Sequence, residues 1–271
     1  MTQTLKRFLA LTAATLGFAL PASATTYSID YTDLWYNAPA ESESGWGVNV
    51  IQQNEILFVT LFVYGADGTP RWFVGPSVGP SGGANTFSGP LYSVTGPYYG
   101  AAWTGVAATQ VGSITFNFTS TSNGTLSYNV GAVTVNKNIT RQVWRNNNLT
   151  GHYIGGTVSV GGACPGGVLI SGEMIVTHNH PNVTMGVDFV TAAGQNGHCN
   201  YAGTYVQSGS LGAINNGSYN CTINGVANTI TGTFSVSEIA ASRNGFNGRF
   251  TGQDNFCAQT GFFGGVKDVF Q

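Results

Sequence analysis

The sequence predicts an all-β protein of two antiparallel lobes, each a meander that closes into a small barrel or a coiled sheet. Three observations carry this reading. Short runs of β-branched and aromatic residues alternate with Gly, Asn, Asp and Pro turns along the chain. In the second half, Gly followed two positions later by an aromatic residue recurs at near-regular intervals. Every Trp lies before residue 148 and every Cys and His after it, so two separately built units are expected, divided at Arg145-Asn146-Asn147-Asn148.

In chain order, residues 1–24 read as a signal peptide, with Lys6 and Arg7 before an apolar stretch from Phe8 to Leu20 and Ala22-Ser23-Ala24 at the cleavage site. That stretch is too short to span a bilayer as a helix, which takes about 20 apolar residues, and no later segment is long enough either. A secreted or periplasmic location follows, with no transmembrane helix. The chain is 7% charged and 42% hydrophobic, so its surface is built from Asn, Thr, Ser and Gly around a sizeable core. Nine Lys and Arg residues are scattered without a basic stripe, which argues against nucleic acid as a partner. Without Lys6 and Arg7, seven basic residues face 11 acidic ones, a net charge of −4 that argues mildly against anionic lipid.

The first lobe, residues 25–147, opens with Trp46, Val48 and Val50 in alternation, then a turn at Gln53-Asn54-Glu55 and a long strand from Ile56 to Tyr64. A turn at Gly65 to Pro70 leads into Arg71 to Val74. On the strand 56–64, Phe58 and Phe62 share one face while Leu57, Val59, Leu61 and Val63 share the other. A half-exposed strand alternates, so one face is expected in a core and the other against the second lobe, a subunit or a partner. Self-association through 56–64 is one such contact.

The second lobe, residues 148–271, carries Gly203-Thr204-Tyr205, Gly217-Ser218-Tyr219, Gly232-Thr233-Phe234, Gly248-Arg249-Phe250 and Gly261-Phe262-Phe263, at steps of 14, 15, 16 and 13 residues. Each step suits one strand and one turn. Residues two apart share a strand face, so neighbouring strands can set a ring against the space a Gly leaves. Cys164, Cys199, Cys221 and Cys257 form an even set in an exported chain, and disulfides Cys199–Cys221 and Cys164–Cys257 are expected.

Asp33-Leu34-Trp35-Tyr36-Asn37, Glu43-Ser44-Gly45-Trp46-Gly47, Gly68-Thr69-Pro70-Arg71-Trp72 and Ile139-Thr140-Arg141-Gln142-Val143-Trp144 resemble a secreted β-rich domain of proteobacterial proteins with the core W-W-x-P-x-E-S-G-W-G. The likeness covers most of residues 30–145, and residues 203–266 resemble a segment that often follows that domain. It implies export and a β fold, and no activity. The chain departs from the pattern at Trp35-Tyr36, where two Trp are usual, and at Ala40-Glu41-Ser42, a short insertion.

Candidate sites are few. His178-Asn179-His180 puts two imidazoles on one face of a strand, where they can meet a metal ion with His152, His198, Glu173 or Asp188, although Pro181-Asn182 favours an exposed hairpin end. No G-x-S-x-G is present, no cofactor other than such a metal is implied, and no carboxylate pair stands out. Glu238 shares a face with Phe234 and Val236, and the reading preferred for it is escape at the rim. Trp35, Tyr36, Trp46 and Trp72 stand beside turns with Glu43, where rings can form platforms for a sugar or another flat apolar ligand, core packing being the alternative for at least half of the aromatics. The leading expectation is an exported, non-catalytic binding or structural module for a glycan or small extracellular molecule. A histidine- or metal-dependent hydrolase and an outer-membrane barrel are the alternatives.

Overall fold

The computed structural model describes residues 29–163 and 168–270, and every regular element among them is a β-strand. The expected signal peptide and Cys164, with its expected bridge to Cys257, lie outside the described residues. The first barrel comprises β1 (Asp33–Asn37), β2 (Gly47–Gln53), β3 (Ile56–Tyr64), β4 (Pro70–Pro80), β5 (Thr86–Thr95), β6 (Ala107–Phe118), β7 (Asn123–Val130) and β8 (Val133–Arg141). The second comprises β9 (Gly151–Gly162), β10 (Val168–Asn179), β11 (Asn182–Val190), β12 (Asn196–Ser208), β13 (Leu211–Ile223), β14 (Val226–Ser242), β15 (Gly245–Asp254) and β16 (Ala258–Lys267). Each is a closed antiparallel meander, sealed by β8 on β1 and by β16 on β9.

Alternation decides which side chains fill the interiors. On β3, Leu57, Val59 and Leu61 are wholly buried in the first barrel, while Phe58 and Phe62 point outward and stay about half exposed. The expectation of a strand apolar on both faces therefore holds, and its outer face is open. In the second barrel Tyr205, Tyr219, Phe234, Phe250 and Phe263 all turn inward and are buried. Gly217 stands opposite Phe234, Tyr219 opposite Gly232 and Phe250 opposite Gly261, so each ring occupies room its neighbour lacks a side chain to fill. A Cβ at Gly217 would lie 2.4 Å from the Phe234 ring. The observed Cys199–Cys221 disulfide joins directly opposed residues of β12 and β13.

The barrels are built alike at the ends where the chain enters. Tyr31 lies buried four residues before inward-facing Trp35, whose indole Nε1 donates to the Tyr31 carbonyl at 3.0 Å. Leu149 lies buried four residues before Tyr153, whose hydroxyl donates to the Leu149 carbonyl at 2.8 Å. Tyr31 then stacks on Phe118 at 3.7 Å and closes the first barrel's floor.

At that floor the barrels meet. The Arg141 guanidinium is fully buried and pairs with Asp33 at 3.0 Å. It also donates to the carbonyls of Thr121 at 2.6 Å, Thr32 at 3.1 Å and Asp30, and lies 4.9 Å from the centre of the Trp35 ring. The same Asp33 oxygen accepts from the Ser210 backbone N–H at 2.8 Å and hydroxyl at 2.9 Å, which seats the β12–β13 turn of the second barrel. The connection 142–150 runs alongside, with Asn147 N–H donating to Gln207 and the Gln207 amide donating to the Arg145 carbonyl at 2.8 Å.

Candidate functional site

The end of the first barrel opposite the floor carries the turns 38–46, 65–69 and 131–132 and the long loop 96–106. The first of these turns holds two of the residues singled out from the sequence, Glu43 and Trp46. The Glu43 carboxylate pairs with Lys137 on β8 at 2.5 Å and accepts from the Asn37 side-chain amide at 3.2 Å. Asn37 also donates to the Ser42 hydroxyl at 2.9 Å, so strand end and turn are tied together. Lys137 lies 5.6 Å from the centre of the Trp46 ring, and Trp46 Nε1 donates to the Tyr128 hydroxyl at 3.2 Å. Gly45 has φ of +97°, and a Cβ there would fall 2.5 Å from the Tyr64 hydroxyl. Only glycine both turns the chain here and lets that ring lie over it.

Tyr64 begins a row of exposed rings on the outer wall. Tyr64 is 57% exposed, Phe62 42% and Trp72 52%, and Phe62 stands directly opposite Trp72 across β3 and β4. Phe58 and Ile51, also cross-strand partners, continue the row toward the floor. The strand order places this apolar sector on β2 to β4.

The candidates therefore separate. Trp35 leaves the site altogether: it is wholly buried in the core, because its position on β1 faces inward. Trp46 is half-buried at the mouth, Tyr36 is half-buried on β1, and Trp72 and Glu43 reach solvent. The exposed Tyr98, Tyr99 and Trp103 of the long loop add further rings.

The histidines do not gather into one cluster. His178 is buried, its Nδ1 accepts from the Leu149 N–H at 3.3 Å, and its ring lies 4.6 Å from Tyr205. That bond leaves the proton on Nε2, and desolvation, with the nearby His180 second, holds its pKa below the ordinary histidine value. His180 lies 6.0 Å away, ring to ring, and among the described residues no group of three His, Cys, Asp or Glu is arranged to hold a metal ion. His198 sits apart, on the outer wall of the second barrel. Its Nδ1 is 2.6 Å from Asp188 and its Nε2 3.1 Å from the Asn200 side-chain oxygen. Both ring nitrogens face acceptors, which suits the doubly protonated ring, and the Asp188 hydrogen bond raises its pKa. A histidine held as a double donor is poorly placed to act as a base. Glu238 sits within β14 at a bulge rather than at the strand end, and pairs with Arg249 at 2.9 Å.

Two surface features went unread in the sequence. One is a shallow apolar depression of about 560 Å³ on the second barrel, floored by Gly155 and Gly156 of β9 opposite Gly265 and Gly264 of β16 and rimmed by Val158 and Phe262. The facing Gly-Gly pairs were its only signal. The other is a polar sector on the first barrel, taken up below. No known protein family, curated protein or solved structure matches the chain.

Proposed function

We propose that the chain is an exported, non-catalytic binding module whose first barrel holds a neutral glycan against the exposed rings of β3 and β4. The observation that carries this is the row Tyr64, Phe62 and Trp72, open to solvent and fixed in cross-strand register beside the Glu43–Lys137–Asn37 cluster. Rings on a rigid sheet offer an apolar face to a pyranose with little loss of side-chain freedom, and the cluster supplies hydrogen bonds at its edge. The Cys199–Cys221 disulfide supports an oxidising compartment, secreted or periplasmic.

The alternatives draw less support. Among the described residues the one carboxylate–histidine pair, Asp188–His198, faces an amide and not a hydroxyl or thiol. The buried side chains of both barrels are mainly apolar, while the outward residues of β6 and β7 are largely Ser, Thr and Asn. A lipid-embedded barrel has the reverse arrangement.

Titration of the mature chain with neutral oligosaccharides, followed by tryptophan fluorescence, tests the proposal. Trp72→Ala is expected to weaken binding about 10-fold to 100-fold, the range for losing a stacked ring at a site centre. Unchanged binding by Trp72→Ala, or no fluorescence response to any glycan, defeats the reading.

A further inference from the structure

Beside the aromatic sector, the outer wall of the first barrel changes character. In one row across four strands Thr86 stands opposite Asn117, Asn117 opposite Thr125, and Thr125 opposite Asn138. In the next row Ser88, Thr115, Ser127 and Asn136 are matched in the same way. A third row runs from Ser113 through Asn129 to Thr134. The strands place these side chains about 4.8 Å apart across the sheet and about 6.7 Å apart along it, a regular grid of hydroxyls and amides. A shallow trough of about 400 Å³ lies over the first two rows. Lys137 lies between the outward Asn136 and Asn138, shares the inner face with its cross-strand partner Leu126 and is committed to Glu43.

We infer that this grid is a second binding surface, and that its occupant is a neutral, extended polysaccharide lying across β5 to β8. The inference rests on the glycan reading above and extends it from a ring platform to a whole wall. Charge selects the occupant. No ionisable side chain stands in the three rows, so a phosphorylated, sulfated or uronic acid polymer would shed water from its anions and find no cation in return. Ser and Thr hydroxyls and Asn amides each donate and accept, as sugar hydroxyls do, so both partners can be satisfied in several registers. The grid is also ordered in advance. Ser88 and Thr115 hydroxyls are 3.0 Å apart, the Ser113 hydroxyl donates to Asn129 at 2.7 Å, and the Thr86 hydroxyl donates to Asn117 at 3.4 Å. Side chains already fixed lose little freedom when a ligand arrives. An ordinary soluble surface would intersperse Lys and Glu here. The second barrel carries a similar stretch, in which Ser218 stands opposite Thr233 and Thr233 opposite Gln253.

The test is retention of the mature chain on swollen cellulose, insoluble chitin and starch granules, with calcium alginate beads as the anionic solid. Retention on at least one neutral solid and none on alginate is expected. Thr115→Val/Thr125→Val/Ser127→Val keeps strand-forming residues and removes three hydroxyls; it is expected to weaken retention about tenfold, the worth of one or two hydrogen bonds. Should that variant aggregate, Asn136→Asp/Asn138→Asp keeps shape, adds charge at exposed positions, and is expected to weaken retention as well. Soluble oligosaccharide binding at Trp72 should survive in both. Undiminished retention by the folded grid variants, stronger retention on alginate, or no retention on any neutral solid overturns the inference. If retention is lost through Trp72→Ala and not through the grid variants, the ring platform stands and the grid falls. Retention lost only through the grid, with Trp72→Ala silent, removes the platform and keeps the grid. Arrest of ice growth without polysaccharide retention assigns the grid to ordered water and overturns the inference.

Discussion

Arg141 shows how much one side chain can hold. Its charge is out of water, and its stability depends on Asp33, three carbonyls and the Trp35 face together. Arg141→Met leaves the Asp33 carboxylate without its cation and three carbonyls without a donor, so a loss of about 3–5 kcal/mol is expected in urea denaturation. The histidines make a second prediction at this scale. His178 has a folded pKa below the ordinary value, so the unfolded chain takes up its proton first and stability falls as pH drops from that ordinary value through the folded one. His198 has a raised folded pKa, so its contribution is complete below the ordinary value and disappears as pH climbs through the folded one. Imidazole NMR resonances should therefore titrate on opposite sides of the free histidine value. Coincident midpoints would contradict both environments.

Among elements, the β12–β13 hairpin is locked covalently. Cys199 and Cys221 are 22 residues apart and wholly buried, so Cys199→Ala/Cys221→Ala is expected to cost about 3 kcal/mol, a value set mainly by the loop it releases. Urea denaturation of the wild type and of the double variant, both without reductant, should show that drop. This hairpin was legible from the sequence, as was the Gly-aromatic packing, since both depend on neighbouring strands of a meander meeting each other. The two faces of β3 were legible from alternation alone. Trp35 and Trp72 were harder to tell apart, because each sits near a turn and only strand parity relative to the closed wall sends one inward and the other out. Arg141 gave no sign, for a lone basic residue in Thr140-Arg141-Gln142 looks like surface until closure of the barrel brings Asp30, Thr32 and Asp33 to it from more than 100 residues earlier in the chain. The grid was invisible because it exists in the register between strands and in no single strand.

For the whole molecule, the junction between barrels turns on Gly209. It has φ of +59°, and a Cβ there would lie 2.2 Å from the Asp33 carboxylate and 2.8 Å from Arg141. Gly209→Ala is thus expected to push the β12–β13 turn off the first barrel while leaving both interiors intact. Scanning calorimetry should resolve two transitions in the variant where the wild type gives one; a single unshifted transition would mean that the junction couples nothing. The sealing of each barrel has a consequence in time. Arg141 meets Asp33 across 108 residues, and Ser159 meets Thr260 across 101. A chain emerging from its N-terminus must carry the naked flank of β1 until β8 has arrived, and that of β9 until β16 has. Over that interval each half is a ribbon with two sticky margins, slow to ring-close and prone to pair with its neighbours. The vulnerable period of this protein therefore falls before maturity, and a holding chaperone would matter most until the last strand of each barrel has paired.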